Sequence, residues 1–279
     1  MLKNNFKKPI VFLSIVFAIF YTLFPFIYMI SVSFKIRKDI FAMPPKYFNF
    51  EPTLYNYWFT FFDQIPFFKF MINSFIITSV STIAALILGT LAGYSLARFR
   101  YPGTLKYHLA FWILSTRMMP PIVVVIPLFL FFSYFNLVNT KLALIIAYTA
   151  FNIPFVTWMM RSFFLDIPKE LEESAMVDGD TRMGSFRRII LPLAKPGLAA
   201  TSIFCLILSW NEFLFAVILT ETEISNTVTF AIALGVSQYQ ANWGYMAASA
   251  TISVIPIIIF AFIVQKHLVR GLSFGAMKG

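Results

Sequence analysis

The sequence predicts an all-α, polytopic membrane protein with six transmembrane helices. Three observations lead there. First, 59% of the 279 residues are hydrophobic and 12% are charged, whereas soluble domains run about 45–50% apolar and about 25% charged. That is too little charge to cover a water-facing surface, and the mean hydropathy is +0.78. Second, apolar runs of about the 20 residues a helix needs to cross a bilayer recur along the chain. Third, the few charges gather in the segments between those runs. A disordered chain, a collagen and a disulfide scaffold are excluded, and an ordinary soluble enzyme is disfavoured. The single cysteine, Cys205, lies in an apolar run and has no partner for a disulfide.

The predicted spans are about 10–34, 71–97, 109–132, 142–164, 198–220 and 246–264, in one transmembrane domain covering 1–279. The first follows Lys3, Lys7 and Lys8, but it is too long for the apolar core of a signal peptide and no small-residue cleavage site follows it. Lys and Arg set the orientation, because basic loops stay on the cytoplasmic side. With the N-terminus inside, 15 of the 22 fall in cytoplasmic segments and six outside, with Arg117 inside the third span. Both termini are therefore expected to be cytoplasmic. Five of the six outer basic residues lie in 35–70, where Pro44–Pro45 breaks any helix and 53–62 reads as an aromatic surface helix. The net charge of +10 is thus an orientation signal and points to membrane lipid, not to nucleic acid.

Eleven of the 34 charged residues crowd between Asp166 and Lys195, in the loop 165–197. The loop reads as two short helices. Asp166 is placed to cap the first, whose early Glu170, Glu172 and Glu173 suit the positive end of the helix dipole. Leu171 and Ala175 share a face, and Asp178-Gly179 ends the helix with a left-handed turn. Asp180 or Thr181 can cap the second helix, where Met183, Phe186 and Ile190 repeat on one side until Pro192 stops the run.

The spacing in this loop resembles the EAA loop of the membrane subunits of ABC importers. That pattern is Glu-Ala-Ala, three residues, Gly, nine residues, Ile, one residue, Leu-Pro. Here Glu173-Ser174-Ala175 precedes Gly179 by three residues. Nine more lead to Ile189, and Leu191-Pro192 follows one residue later. Ser174, in place of the first Ala, is the one departure and is nearly as small. The likeness continues in Asn56-Tyr57, Asn73-Ser74, Arg117 to Pro121, Trp210-Asn211-Glu212-Phe213 and the tail from Arg270 to Gly279. Together these resemble the carbohydrate-uptake branch, of the maltose-type second permease subunit.

The resemblance implies a type I importer permease fold and a bacterial or archaeal cell membrane. It implies a second permease subunit in a heterodimer, two ATPase subunits and an external sugar-binding protein. It implies that the first loop helix docks on the ATPase subunit through Glu173, Ser174, Ala175, Asp178 and Gly179. Phe186, Ile189, Leu191 and Pro192 shape the rest of that coupling site. ATP and Mg would be held by the ATPase subunits, and no cofactor by this chain. Arg117, Asn152, Asn211 and Glu212 lie inside predicted spans and are candidates for the substrate pathway. The solute is expected to be a sugar or oligosaccharide, with glycerol phosphate or another small polar solute as the alternative.

Two other classes fit less well. A catalytic or metal centre has little to build on, since His108 and His267 lie in separate segments and one Cys is present. The chain also has no Gly-x-x-x-x-Gly-Lys-[Ser/Thr] phosphate loop. A self-sufficient secondary transporter would be expected to carry an ion or proton relay and an internal repeat, neither of which is evident.

Overall fold

In a computed structural model of the chain, residues 7–47, 49–62, 66–236 and 241–275 are described. Lys3 and the last four residues of the tail lie outside them. The described residues form helices and connecting turns, with one isolated bridge between Val236 and Ala241. In chain order the helices are α1 (Lys7–Ser33), α2 (Arg37–Ile40), α3 (Tyr55–Phe62), α4 (Phe67–Arg98), α5 (Leu105–Ser115), α6 (Pro121–Tyr134) and α7 (Lys141–Asp166). They continue as α8 (Glu170–Val177), α9 (Arg182–Ser185), α10 (Leu191–Leu193), α11 (Lys195–Trp210), α12 (Leu214–Leu219), α13 (Val228–Ala233) and α14 (Trp243–Gly275). A 3-10 turn, Thr116–Met118, precedes α6, and a π-helical turn, Phe186–Ile190, joins α9 to α10.

Among the described residues, α1, α4, α7 and α14 are each long and apolar enough to cross a membrane. Two bent pairs raise the number to six if each counts as one span. The segment expected as one span over 109–132 is in fact two helices meeting at 91°. Consecutive prolines explain it. A residue before proline is pushed out of the helical region, so Met119 (ψ 133°) and Pro120 (ψ 128°) are both extended, and Pro121 starts α6 afresh. Pro127, Pro154 and Pro256 instead lie inside continuous helices.

The expected span 198–220 is also divided. Helix α11 ends at Trp210, and its 16 residues rise only about 24 Å. That is short of a hydrocarbon core of about 30 Å, and α12 follows beyond the break at 211–213.

Two compact units are distinguishable. One comprises the chain up to Phe68 together with Ala231–Ile255. In it Asn56, the residue singled out beside Tyr57, donates to the carbonyls of Ser33 and Lys35 at 2.9 Å each. Tyr57 and Ser33 share a hydroxyl hydrogen bond of 2.7 Å. The aromatic helix expected over 53–62 is α3, which starts at Tyr55, whose N–H donates to the Thr53 hydroxyl. Lys35 is buried with its ammonium on the Lys46 carbonyl at 2.6 Å and over the Phe50 ring. A cavity of about 480 Å³ opens between α2, α3 and the start of α14, lined by Arg37, Tyr55, Phe59, Asn242 and Trp243 among others.

The second unit comprises Lys69–Phe230 and the chain from Pro256 on. Its core has two clusters. Ile77, Phe132, Leu144, Tyr148, Phe215 and Leu219 belong to one. Tyr94, Val156, Met160, Phe164, Phe186, Ile190 and Cys205 belong to the other, beside the charged loop. Gly89 and Gly93 bring α4 against α7. A Cβ at Gly89 would lie 2.6 Å from that of Val156, and one at Gly93 would lie 2.9 Å from the Thr157 carbonyl. The Asn73-Ser74 pair ties α4 to the segment before α13. Asn73 donates to the carbonyls of Glu223 and Asn226, both at 3.0 Å, and Ser74 accepts from the Val228 N–H at 2.7 Å.

Candidate functional site

The charged loop forms a compact knob. Asp166 does not cap α8: it is the last residue of α7, and α8 begins four residues later after Pro168. Helix α8 ends at Val177, and Gly179 just beyond it has φ +90°, the left-handed conformation that glycine adopts without steric cost. Thr181, not Asp180, caps α9, its hydroxyl accepting from the Gly184 N–H at 3.0 Å. Asp180 is free to pair with Arg188, at 2.5 Å. Pro192 sits in the first turn of α10 and does not stop the run. The chain instead bends by 74° between Leu193 and Lys195.

Helix α8 has two distinct faces. Glu170, Glu173, Ser174, Val177 and Asp178 surround a shallow depression of about 360 Å³ on the outward face. Val177 is 87% exposed, an apolar side chain held in the open. Leu171 is exposed as well, whereas Ala175, which shares its side of the helix, is half-buried. The inward residue is Glu172. Its carboxylate lies 3.1 Å from Arg98 Nε, with the two side chains 5% and 3% exposed. It also accepts a hydrogen bond from the Tyr94 hydroxyl. Arg98 in turn donates from Nη2 to the Ile167 carbonyl at 2.7 Å.

Phe186 and Ile190 are buried in the core beside this pair, and Ile189 and Leu191 pack against the same cluster. The Phe186 ring is 4.4 Å from that of Tyr94. Of the residues the EAA resemblance points to, then, Glu173, Ser174, Asp178 and Gly179 are exposed and Ala175 is half-buried, while Phe186, Ile189 and Leu191 fasten the knob to the helices. Pro192 is exposed at the exit.

The four candidate pathway residues each have partners within the chain. Arg117, in the 3-10 turn at the bend, donates to the Phe151 carbonyl at 2.7 Å and lies over the Phe151 ring at 4.3 Å. Asn152 donates to the Ser209 hydroxyl at 2.8 Å. Asn211 donates to the Ile207 carbonyl at 2.8 Å and closes the end of α11. Glu212 accepts from the Phe215 N–H at 2.9 Å and from that of Ala216 at 3.3 Å, capping α12. Phe151 and Phe215, with ring centroids 5.9 Å apart, connect the Arg117 and Glu212 ends of this group. Asn211 is exposed, Arg117 and Glu212 half-buried and Asn152 fully buried.

Residues 85–274 match the family model described as binding-protein-dependent transport system inner membrane component. The chain belongs to this permease family. The permease is 34% identical over 281 residues to the trehalose/maltose transport system permease protein MalG of Thermococcus litoralis, covering 100% of both chains. It is 39% identical over 260 residues to the probable ABC transporter permease protein y4oR of Sinorhizobium fredii, covering 93% of this chain and 91% of that one. With the trehalose transport system permease protein SugB of Mycobacterium tuberculosis it shares 37% identity over 261 residues and 93% of each chain. Its fold superposes on a chain of a bacterial ABC transporter that imports alginate, with a TM-score of 0.76 and 23% identity, over 95% of this chain and 98% of that one. The permease is thus a multi-pass membrane component of an ABC importer and not itself an enzyme.

Sequence reasoning missed Glu172, Tyr94 and Arg98 as members of the loop site. Glu172 read as one of three equivalent carboxylates at a helix start, and Arg98 as an orientation charge. The available signal was the helical period that sets Glu172 with Ala175 and Met176, opposite Glu170, Glu173 and Val177.

Proposed function

We propose that this permease is one half of a heterodimeric importer that moves a sugar or oligosaccharide handed over by an external binding protein, with both termini on the cytoplasmic side. The observation that carries the coupling part is the outward face of α8, where Glu173, Ser174, Val177 and Asp178 stand open around a shallow depression. Small Ser174 lets another protein approach closely, Val177 offers an apolar contact, and the carboxylates offer partners to basic side chains. That face receives the ATPase subunit, which holds ATP and Mg. Closure of the two ATPase subunits then moves α8 and, through it, the helices of the permease. This chain holds no cofactor of its own in the cycle.

The substrate class is supported by relatives that span nearly the whole chain and are described as trehalose/maltose and trehalose transport permeases. The group around Arg117, Asn152, Asn211 and Glu212 is the part of the permease proposed to border the pathway. Exposed Asn211 contacts solute, and the other three hold the bent helices around it.

The test is uptake by proteoliposomes holding the complete importer. Labelled trehalose, maltose, longer maltodextrins and glycerol 3-phosphate are offered with the binding protein outside and ATP inside. A sugar entering only when both are supplied is the expected result. Uptake by the permease alone under an ion gradient would overturn the reading, and uptake of glycerol 3-phosphate alone would overturn the substrate class.

A further inference from the structure

We infer that Glu172 is a positioning residue for coupling: with Arg98 and Tyr94 it forms a buried joint that carries movement of α8 directly into α4. This rests on the reading of α8 as the ATPase contact. The chain connects α8 to α7 through Ile167–Lys169 and to α9 through Gly179. Nothing covalent joins α8 to α4, which ends 72 residues before Glu170. The noncovalent link has three parts. The Glu172 carboxylate meets Arg98 Nε at 3.1 Å. It accepts from the Tyr94 hydroxyl one turn earlier on α4. The other arm of Arg98 reaches the Ile167 carbonyl at the end of α7 at 2.7 Å. One guanidinium therefore holds α4, the α7 exit and α8 together.

The chemistry of the joint suits transmission better than packing alone. Apolar surfaces can slide past each other by small shear steps. An ion pair shut away from water resists such sliding, because separating it leaves a buried charge uncompensated. Tyr94 adds direction, since its ring also packs at 4.4 Å on Phe186, across the loop from α8. The two faces of α8 thus have separate tasks. Glu173, Ser174, Val177 and Asp178 meet the ATPase subunit, and Glu172 passes the movement on.

The experiment uses the complete importer in proteoliposomes and reads solute transported per ATP hydrolysed. The double variant Arg98→Met/Glu172→Met replaces the pair by apolar side chains, a change that buried ion pairs often tolerate without loss of stability. It is expected to accumulate in the membrane, co-purify with the ATPase subunits and hydrolyse ATP, while transport per ATP falls about tenfold. Wild-type transport per ATP in that variant overturns the inference. Should it fail to accumulate, Tyr94→Phe decides: a loss of about twofold supports the joint, and unchanged coupling overturns it. Glu173→Lys reports separately on the outward face. Normal transport by Glu173→Lys sinks the docking reading whatever Glu172 does, whereas its failure beside a normal double-methionine variant sinks the joint alone.

Discussion

Gly179 shows how one residue can be tested apart from its surroundings. Its φ is +90°, and a Cβ built there meets nothing within 4 Å. A substitution therefore meets no clash within the permease itself. Gly179→Ala carries only a left-handed backbone cost of about 1–2 kcal/mol, and Gly179→Asn less, because Asn visits that region more readily. Gly179→Asp adds a charge beside the face proposed to meet the ATPase subunit. We expect all three to insert normally. Transport should fall from Asn to Ala to Asp, with Asp abolishing it, as measured by uptake at matched membrane abundance. The spacing of Gly179 from Glu173 and Leu191 was legible in the sequence, and so was its turn. The burial of Glu172 was not, because it depends on Arg98 arriving from a helix that ends more than 70 positions away.

At the scale of the elements, the contact between α4 and α7 is set by Gly89 and Gly93. Two glycines four residues apart let a neighbouring helix approach closely, and the partner face is Val156, Thr157 and Arg161. Gly89→Leu should force the helices apart at a cost of at least about 1–3 kcal/mol, read as a lower unfolding temperature of the detergent-purified importer. Thr181→Ala removes the hydroxyl that caps α9 and should cost about 1 kcal/mol, seen as faster hydrogen exchange confined to 182–190. Hydropathy located the apolar segments but not their breaks. The span read as continuous over 109–132 turns by 91° because Met119 and Pro120 are extended together. The break after Trp210 was less visible still, since Asn211 and Glu212 read as pathway residues and prove to close one helix and start the next.

For the whole molecule, the scarcity of charge was the most informative property of the sequence. With 34 charged residues in 279, the cluster at the loop pointed to the surface proposed to meet a water-soluble partner. The central claim is that the outward face of α8 contacts the ATPase subunit. It is tested most directly by a photo-crosslinker attached at Ser174→Cys in a Cys205→Ala background, within the complete importer. The account predicts an adduct with the ATPase subunit from position 174, and none from a control cysteine at Thr53 in the segment before α3. No adduct from position 174 in an importer that still transports would contradict it.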